Sequence, residues 1–293
     1  MNLPRISLLP TFLRELLSDQ TLPREPEPDA IMEDVDQVAA FSETGRAEST
    51  LAASYLFHTA RASQALQGCK RVVDLGCGPA TQLIQIATIN PEIEFVGVDM
   101  SEEMLRHARA HADEAGVRNV SFMTGDITKL DAFEPQSVDG VISTVSLHHL
   151  PTAGHLEGCF REIQRILKPG GALYLADFGR LKSLKSVIFF AYMNRDRDPH
   201  QLLLDYERSL RAAFLLSDFQ KLAKGFLGGA VNVFSTFKVP LLIVLKTPDK
   251  DLPAEKIAIL NRMRDGLNPR FKYDLDDMRT FFKLGGLKND VFH

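Results

Sequence analysis

The sequence has no tryptophan and only three cysteines, Cys69, Cys77 and Cys159, among its 293 residues. Their number is odd and their spacing matches no metal motif, so neither a disulfide framework nor a cysteine metal centre is indicated. So few cysteines fit a reducing compartment and predict a cytoplasmic protein. The first residues lack the continuous apolar region and the small-residue cleavage site of a signal peptide.

Long hydrophobic runs and a strong charge of one sign are also missing. The longest apolar runs, VIFFAYM and VPLLIVL, are far shorter than the ~20 residues that span a bilayer, so no transmembrane segment is expected. The formal net charge of −4 gives no support for a nucleic-acid partner. A homodimer is compatible with these properties.

From residue 68 onward, apolar strand-like segments alternate with helical ones. The strand-like segments are KRVVDLG, IEFVGVDM, VSFMTGDI, VDGVIST and ALYLADF. Strands separated by helices predict a parallel sheet with right-handed crossovers. Two later runs, VNVFSTF and LLIVLKT, are joined by only three residues, so they must be antiparallel. The predicted fold class is α/β: a Rossmann-like open sheet, mostly parallel with an antiparallel terminal hairpin, plus helical additions.

These segments divide the chain into a core and additions. Residues 1–67 are predicted to form an N-terminal helical extension, residues 68–247 the core, and residues 248–293 a C-terminal helical extension. Residues 181–229 are a helical insertion in the core. Helices are expected over IMEDVDQVAAF and AESTLAASYLFHTARASQAL in the first extension, and over HLEGCFREIQRILKPGG before the fifth strand.

The loop after the first strand, VVDLGCGPA, indicates a closely bound ligand, because Gly76 and Gly78 let the backbone approach it. A dinucleotide site would continue as G-x-G-x-x-G, but Thr81 takes the third position and Pro79 lacks an N–H for an anion. No Gly-Lys-Ser/Thr follows, which argues against a P-loop. Asp74 would repel a phosphate and suits a cationic group, such as an amino acid's ammonium.

Two further acids close the next strands, where parallel strands present their carboxyl ends at one edge of the sheet. Asp99 ends the second strand, where a carboxylate can accept both hydroxyls of a ribose. Asp126 ends the third strand and could accept from an adenine amino group. One such acid could merely cap a helix, but three in register favour a cofactor. Ammonium, ribose and base partners together describe S-adenosylmethionine.

At this point the sequence resembles the class I S-adenosylmethionine-dependent methyltransferases, and most of all the small-molecule branch that includes the ubiquinone and menaquinone C-methyltransferases. The resemblance rests on VVDLGCGPA, FVGVDMSEEML, GDI, VDGVISTVSLHHL and RILKPGGALYLADF, in this order. It implies methyl transfer from S-adenosylmethionine to a small-molecule acceptor, with S-adenosylhomocysteine as the product.

The resemblance also implies roles for the first loop. Asp74, Gly76 and Gly78 would line the methionine part of the cofactor, and Pro79 belongs to the same loop. Cys77 is interpreted as a small residue packed beneath the cofactor, because no activating base lies near it in the sequence.

In this interpretation, residues at the ends of the second, third and fourth strands contact the rest of the cofactor. Asp99 would hold the ribose and Met100 would pack on the adenine. Asp126 and the backbone of Ile127 would contact the base. Ser143, at the end of the fourth strand, would lie near the ammonium and the sulfonium.

The segment STVSLHHL, after the fourth strand, carries the candidate catalytic residues. It lacks the Asn/Asp-Pro-Pro-aromatic motif typical of amino-directed methylation. It also lacks the carboxylates of a metal-dependent catechol-type enzyme, so no metal is expected. His148 or His149 could remove a proton from an oxygen or carbon acceptor. Alternatively, one of them only hydrogen-bonds the start of the following helix.

The sequence indicates the acceptor site less clearly than the cofactor site. Tyr192, Arg195 and Tyr206 lie in the helical insertion, where related enzymes build a substrate lid, and its apolar content favours an apolar or aromatic acceptor. The alternative is that these helices only pack on the sheet. Arg46 and Tyr55 could close over the cofactor, or belong to a surface helix.

Two other functions stay open at this point. One is methylation of RNA or protein, against which the acidic balance counts. The other is a chain that binds the cofactor without transferring methyl and serves as a non-catalytic partner or regulatory subunit.

Overall fold

The predicted sheet is present in the computed structural model, which describes residues 8–28, 51–196 and 198–292. Its strands are β1 (Arg71–Leu75), β2 (Glu94–Asp99), β3 (Val120–Thr124), β4 (Val138–Thr144), β5 (Leu167–Phe178), β6 (Asn232–Ser235) and β7 (Leu242–Lys246). Their order is β3-β2-β1-β4-β5-β7-β6. The first five strands are parallel, and β7 pairs antiparallel with both β5 and β6. The predicted fold class is confirmed.

The helices flank this sheet and extend beyond it. They are α1 (Leu9–Leu17), α2 (Ala52–Ala65), α3 (Thr81–Ile89), α4 (Glu102–Glu114), α5 (Ala153–Ile166), α6 (Leu184–Tyr192), α7 (His200–Ala212), α8 (Leu216–Leu222), α9 (Ala254–Gly266) and α10 (Pro269–Leu284). None of the helices in the described ranges is long and apolar enough to cross a membrane. The predicted helix over IMEDVDQVAAF lies outside the described residues.

One boundary prediction was wrong. The helix before the fifth strand ends at Ile166, and Leu167 already pairs with Val138 as the start of β5. Pro169 has no N–H for a helical hydrogen bond, and Gly170 takes a left-handed φ of 73°. The segment therefore leaves the helix before these residues.

Alternation along the strands divides the core into two layers. Val72 belongs to the hydrophobic cluster on one face of the sheet and Val73 to the cluster on the other. Since successive strand side chains point to opposite faces, β1 is covered by helices on both sides. The face that receives Val73 also receives Leu156, Phe160 and Ile163, which recur at helical spacing along α5.

The two ends of the chain pack on the core and on each other. Phe57 of α2 stacks on Phe282 of α10 with ring centroids 5.1 Å apart. Phe12 of α1 stacks on Phe281 at 5.4 Å. Glu15 of α1 accepts backbone N–H bonds at the start of α6, from Lys182 and Ser183. These contacts join α1, α6 and α10 above the carboxyl edge of the sheet.

A substitution at Gly285 tests the contact between the end of α10 and the β6–β7 hairpin. A Cβ at this position would lie 2.0 Å from the Ser235 carbonyl oxygen, so Gly285→Ala must displace backbone. We expect it to lower the free energy of unfolding by roughly 1–3 kcal/mol, the usual cost of overpacking, as measured by denaturant titration.

Gly266→Ala is the matched control. A Cβ there would meet nothing within 4 Å, and alanine is the better helix former by roughly 0.5–1 kcal/mol. If the two variants are equally stable, close packing of Gly285 against the Ser235 carbonyl does not stabilise the fold.

Candidate active site

The loop between β1 and α3 turns sharply at the carboxyl edge of the sheet. Gly76, Gly78 and Ala80 all have left-handed φ angles, of 69°, 52° and 58°. A Cβ on Gly76 would lie 1.7 Å from Oγ of Ser146, so this position requires glycine. A Cβ on Gly78 would meet no atom within 4 Å. The backbone at Gly78 therefore faces open space that a ligand can enter.

The amide groups of this loop are already engaged. Gly76 and Cys77 both donate to the Val98 carbonyl oxygen, at 2.8 and 3.0 Å. Gly78 donates to Oδ2 of Asp99 at 2.8 Å, and Ala80 donates to the Cys77 carbonyl. With proline at the remaining position, residues 76–80 offer no amide to an anion. The geometry agrees with the argument from sequence against a phosphate ligand.

The acids at the ends of β2 and β3 line the same cavity. Oδ1 of Asp99 accepts from the Ser101 amide at 2.9 Å, so Gly78 and Ser101 together fix this carboxylate. Oδ1 of Asp126 accepts from both the amide and the hydroxyl of Thr128. Met100 is 47% exposed, although it is a large apolar side chain, and it also lines the cavity. An apolar surface beside two oriented carboxylates fits a nucleoside.

Two of the predicted cofactor residues lie behind the cavity wall. Asp74 is 2% exposed and is not among the lining residues. Burial and the neighbouring charge of Asp99 raise the pKa of Asp74 to about 8. Ser143 is fully buried and donates to the Leu75 carbonyl at 2.7 Å, which ties β4 to β1. The predicted contact of Ser143 with the cofactor stays a prediction.

The other predicted loop residues line the cavity directly. They are Gly76, Cys77, Gly78 and Pro79, together with Ile127 from the third strand end. Burial, followed by the charges of Asp74 and Asp99, raises the pKa of the Cys77 thiol well above its ordinary value. The thiol is therefore protonated at neutral pH, which argues against a nucleophilic role.

The cavity extends well beyond these residues and has a volume of about 750 Å³. Its second half is lined mainly by apolar side chains from α1, α6, α7, α10 and the hairpin region. They include Phe12, Phe178, Phe190, Tyr206, Met278 and Phe281. One wall is thus built from the loop and the strand ends, and the facing wall from the extensions and the insertion.

The histidine pair lies between these two halves, on a 3₁₀ turn over Leu147–His149. His148 is 1% exposed. Its Nδ1 donates to Oδ1 of Asp177 at 2.7 Å, and its backbone amide donates to Oδ2 of the same residue at 3.1 Å. Asp177 stands at the end of β5 and is itself buried. It therefore fixes both the orientation and the tautomer of His148.

Glu27, from the N-terminal segment, completes this cluster. Its Oε2 lies 3.2 Å from Nδ1 of His149, and its Oε1 lies 3.8 Å from Nε2 of His148. Ser209 of α7 donates to Oε1 at 2.9 Å. Burial alone would raise the pKa of Glu27, but the His149 hydrogen bond and the histidine charges lower it to about 2. Burial likewise opposes the charged form of His149, and Glu27 outweighs it and raises the His149 pKa.

Arg24 holds this segment in place. Its guanidinium donates to the backbone carbonyls of His148, Pro151 and Ala212. Its charged end also lies 4.0 Å from the ring centre of Phe214. The position of Glu27 is therefore coupled to the turn that carries the histidines.

A family model for the methyltransferase domain matches residues 66–224, more than half of the chain. The chain belongs to this methyltransferase family. The 27-O-demethylrifamycin SV methyltransferase of Amycolatopsis mediterranei (strain S699) is 35% identical over 114 residues, or 39% of this chain and 40% of that protein. A demethylmenaquinone methyltransferase of Listeria welshimeri is 36% identical over 107 residues, or 36% of this chain and 44% of that protein. The chain thus spans less than half the length of these relatives.

The fold comparison agrees with the family. The plantazolicin methyltransferase BpumL, solved in complex with SAH, superposes with a TM-score of 0.54 at 14% identity, covering 82% of this chain and 94% of that one. At this identity the likeness concerns the fold alone. The strand order and the terminal hairpin are those of the class I S-adenosylmethionine-dependent methyltransferases.

Only part of the predicted acceptor set lines the cavity. Tyr206 lines it, with its ring 5.3 Å from Phe178. The Tyr192 hydroxyl instead donates to Glu207, and Arg195 is 76% exposed beside Asp196; neither lines the cavity. Tyr55 does line it. Arg46 lies outside the described residues.

The sequence interpretation missed two residues of the cluster around the histidines. Asp177 follows the same pattern as Asp74, Asp99 and Asp126, an acid near the end of a strand, so that pattern could have identified it. Glu27 lies in the proline- and acid-rich stretch TLPREPEPD, where nothing local distinguishes it from its neighbours.

The raised pKa of Asp74 predicts an unusual dependence of stability on pH. The folded chain keeps a proton on Asp74 up to about pH 8, whereas the unfolded chain releases it near pH ~4. Between these values the native state binds more protons, so stability falls as pH rises, by ~1 kcal/mol per unit from this group. We expect Asp74→Asn to remove that contribution in the cofactor-free protein.

Denaturant titrations of the wild type and the variant at pH 5 and pH 8 measure the difference. Asp113→Asn is the control, because this carboxylate is 74% exposed, and it should keep the wild-type pH slope. A wild-type slope in Asp74→Asn would contradict the assignment.

Proposed function

We propose that this protein transfers the methyl group of S-adenosylmethionine to a small-molecule acceptor with an apolar or aromatic body. One observation carries the proposal. A single continuous cavity joins the glycine loop and the acids of the strand ends to an apolar wall built by the extensions and the insertion. A donor site and an acceptor site that share one cavity are what direct group transfer requires.

The donor half fits the cofactor by its chemistry. Gly78 leaves room for close approach, Met100 offers an apolar surface to a base, and Asp99 and Asp126 present oriented acceptors to hydroxyl and amino groups. When bound, S-adenosylmethionine supplies a methyl group on a sulfonium and leaves as neutral S-adenosylhomocysteine. Apolar walls exclude water, which favours a reaction in which the sulfonium loses its charge.

The acceptor half supports an apolar or aromatic molecule. Phe178, Phe190, Tyr206 and Phe281 present ring faces or edges to it, and aromatic side chains recognise flat apolar molecules by stacking and by edge contacts. The curated relatives carry the names of two different acceptors. These names support a small molecule and leave its identity open.

The His148–His149 turn lies between the donor half and the acceptor half of the cavity. Removal of a proton by His148 or His149 stays a prediction. The hydrogen bond to Asp177 occupies Nδ1 of His148, so the free lone pair of the ring is on Nε2.

A cytoplasmic location is proposed on chemical grounds. All three cysteines are free, and two of them are buried, which is typical of proteins from reducing compartments. Self-association into a homodimer stays a prediction.

Turnover tests the proposal. We expect S-adenosylhomocysteine to form when the purified protein is incubated with S-adenosylmethionine and a panel of phenols, hydroxylated polycycles, amines and thiols. Cofactor binding by calorimetry is measured on the same sample. Binding without product across the panel would favour the non-catalytic partner, and product only with RNA or protein would favour the macromolecular alternative.

Tyr206→Ala tests the division of the cavity. Loss of a ring from the acceptor wall should raise the acceptor KM by roughly tenfold or more, while the cofactor Kd stays within about twofold. Tyr192→Phe is the control, since its hydroxyl binds Glu207 and not the cavity. A weaker cofactor Kd with an unchanged acceptor KM would reverse the assignment of this wall.

A further inference from the structure

We propose that Glu27, His148 and His149 form a binding site for one divalent transition-metal ion, of the kind that zinc occupies. This departs from the sequence-based expectation of no metal. The cluster combines two imidazoles and one carboxylate, a ligand set used by zinc sites that keep one position open. The binding of the ion does not depend on the proposed function. A role for it in methyl transfer rests on that function, and there the ion would replace the predicted base, because it takes the free lone pairs of both histidines.

The distances suit such a site. One ligand atom from each residue lies within 4.8 Å of the other two. Oε2 of Glu27 is 3.2 Å from Nδ1 of His149, and Oε1 is 3.8 Å from Nε2 of His148. Ligands at ~2.1 Å from a tetrahedral ion stand roughly 3.4 Å from one another. Only small side-chain rotations would separate the metal-free arrangement from the ligating one.

Nε2 of His148 is the second and independent observation. It is buried and has no hydrogen-bond partner in the described part of the chain, and an unpaired buried polar atom is costly. The Glu27–His149 contact taken as an ordinary ion pair would leave this atom unexplained. An ion between the two histidines and the carboxylate would engage it.

The residues around the cluster are arranged as in metal sites. A ligating histidine typically gives its other ring N–H to a carboxylate, which fixes the tautomer and makes the ligating nitrogen more basic. Asp177 accepts from Nδ1 of His148 at 2.7 Å in this way. Ser209 likewise holds Oε1 of Glu27. Each of these two ligands therefore has an orienting partner.

The ligand set also selects the ion. Mg²⁺ and Ca²⁺ prefer oxygen ligands, whereas two imidazoles favour zinc, copper, iron or nickel. The three residues line the cavity, so a position left open on the ion would face the acceptor half. An oxygen atom of the acceptor would occupy the open position. The ion would then hold that oxygen in place electrostatically.

The site is tested with cobalt, because Co²⁺ in a low-coordinate nitrogen and oxygen site absorbs visible light. Untagged full-length protein is treated with a chelator, desalted, and titrated with Co²⁺, and Zn²⁺ is then added to displace it. We expect one Co²⁺ per chain, with a visible spectrum that Zn²⁺ abolishes. Binding should also raise the apparent melting temperature.

Variants locate the ion. Glu27→Gln and His149→Ala should abolish the spectrum, and Asp177→Asn should weaken binding roughly 10–100-fold, as loss of an orienting partner typically does. His200→Ala, an exposed histidine at the start of α7, should change nothing. Circular dichroism confirms that each variant is folded.

The outcomes separate this proposal from the proposed function. Absence of stoichiometric Co²⁺ binding by the folded wild type, or a spectrum that survives both Glu27→Gln and His149→Ala, would overturn the metal site. S-adenosylmethionine binding is measured on the same preparations. If Co²⁺ does not bind but S-adenosylmethionine does, the metal site is wrong and the methyltransferase proposal is unaffected. If the wild type does not bind S-adenosylmethionine, the methyltransferase proposal is contradicted instead.

Discussion

The carbonyl oxygen of Val98 accepts two hydrogen bonds, from the amides of Gly76 and Cys77, and the donor half of the site depends on this junction. It ties the loop after β1 to the end of β2 and turns the remaining backbone at Gly78 outward. Asp99 reinforces the turn by accepting from Gly78. The same bonds that shape the loop consume the amides an anion would need. One local network thereby both opens the site and selects against phosphate.

The acceptor half depends on a different kind of contact. Arg24 joins the N-terminal segment to carbonyls on the histidine turn and at the end of α7. A guanidinium can do this because it carries five donors in a fixed planar arrangement. Glu27 is placed beside the histidines by the same segment. In the proposed function, the predicted core therefore supplies the donor site, and the additions to it supply much of what faces the acceptor.

The fold could be predicted because its signals are local and repetitive. Alternation between Val72 and Val73, the helical spacing on α5 and the short hairpin connection each specify an element without knowledge of the rest. The strand-end residues Asp99 and Asp126 followed from topology, because parallel strands bring their carboxyl ends to one edge. The start of β5 is hidden in the sequence because the apolar spacing of α5 continues through Leu167 up to Pro169 and Gly170.

The remaining parts of the site arise from long-range packing. Nothing in the residues around Glu27 distinguishes it from Glu25, because its role comes from a fold-back over a turn more than a hundred positions away. The hydroxyl of Ser143 donates to the neighbouring strand, and its predicted contact with the cofactor stays a prediction. Tyr192 ends α6 and Arg195 lies in the turn after it, and neither lines the cavity to which Tyr206 of α7 contributes. The contacts that a side chain makes with distant parts of the chain are the information that pattern reasoning lacks.

The stacking of Phe12 on Phe281 has a consequence for synthesis. These rings come from the first and one of the last helices of the described chain, and both line the cavity. β1 pairs with β2 and β2 with β3, which follow one another in the chain, whereas β4 crosses back to pair with β1, and such long-range parallel pairing is intrinsically slow. The wall between α1 and α10 can close only after α10 has left the ribosome. During synthesis this part of the cavity therefore cannot be complete until nearly all of the described chain has emerged.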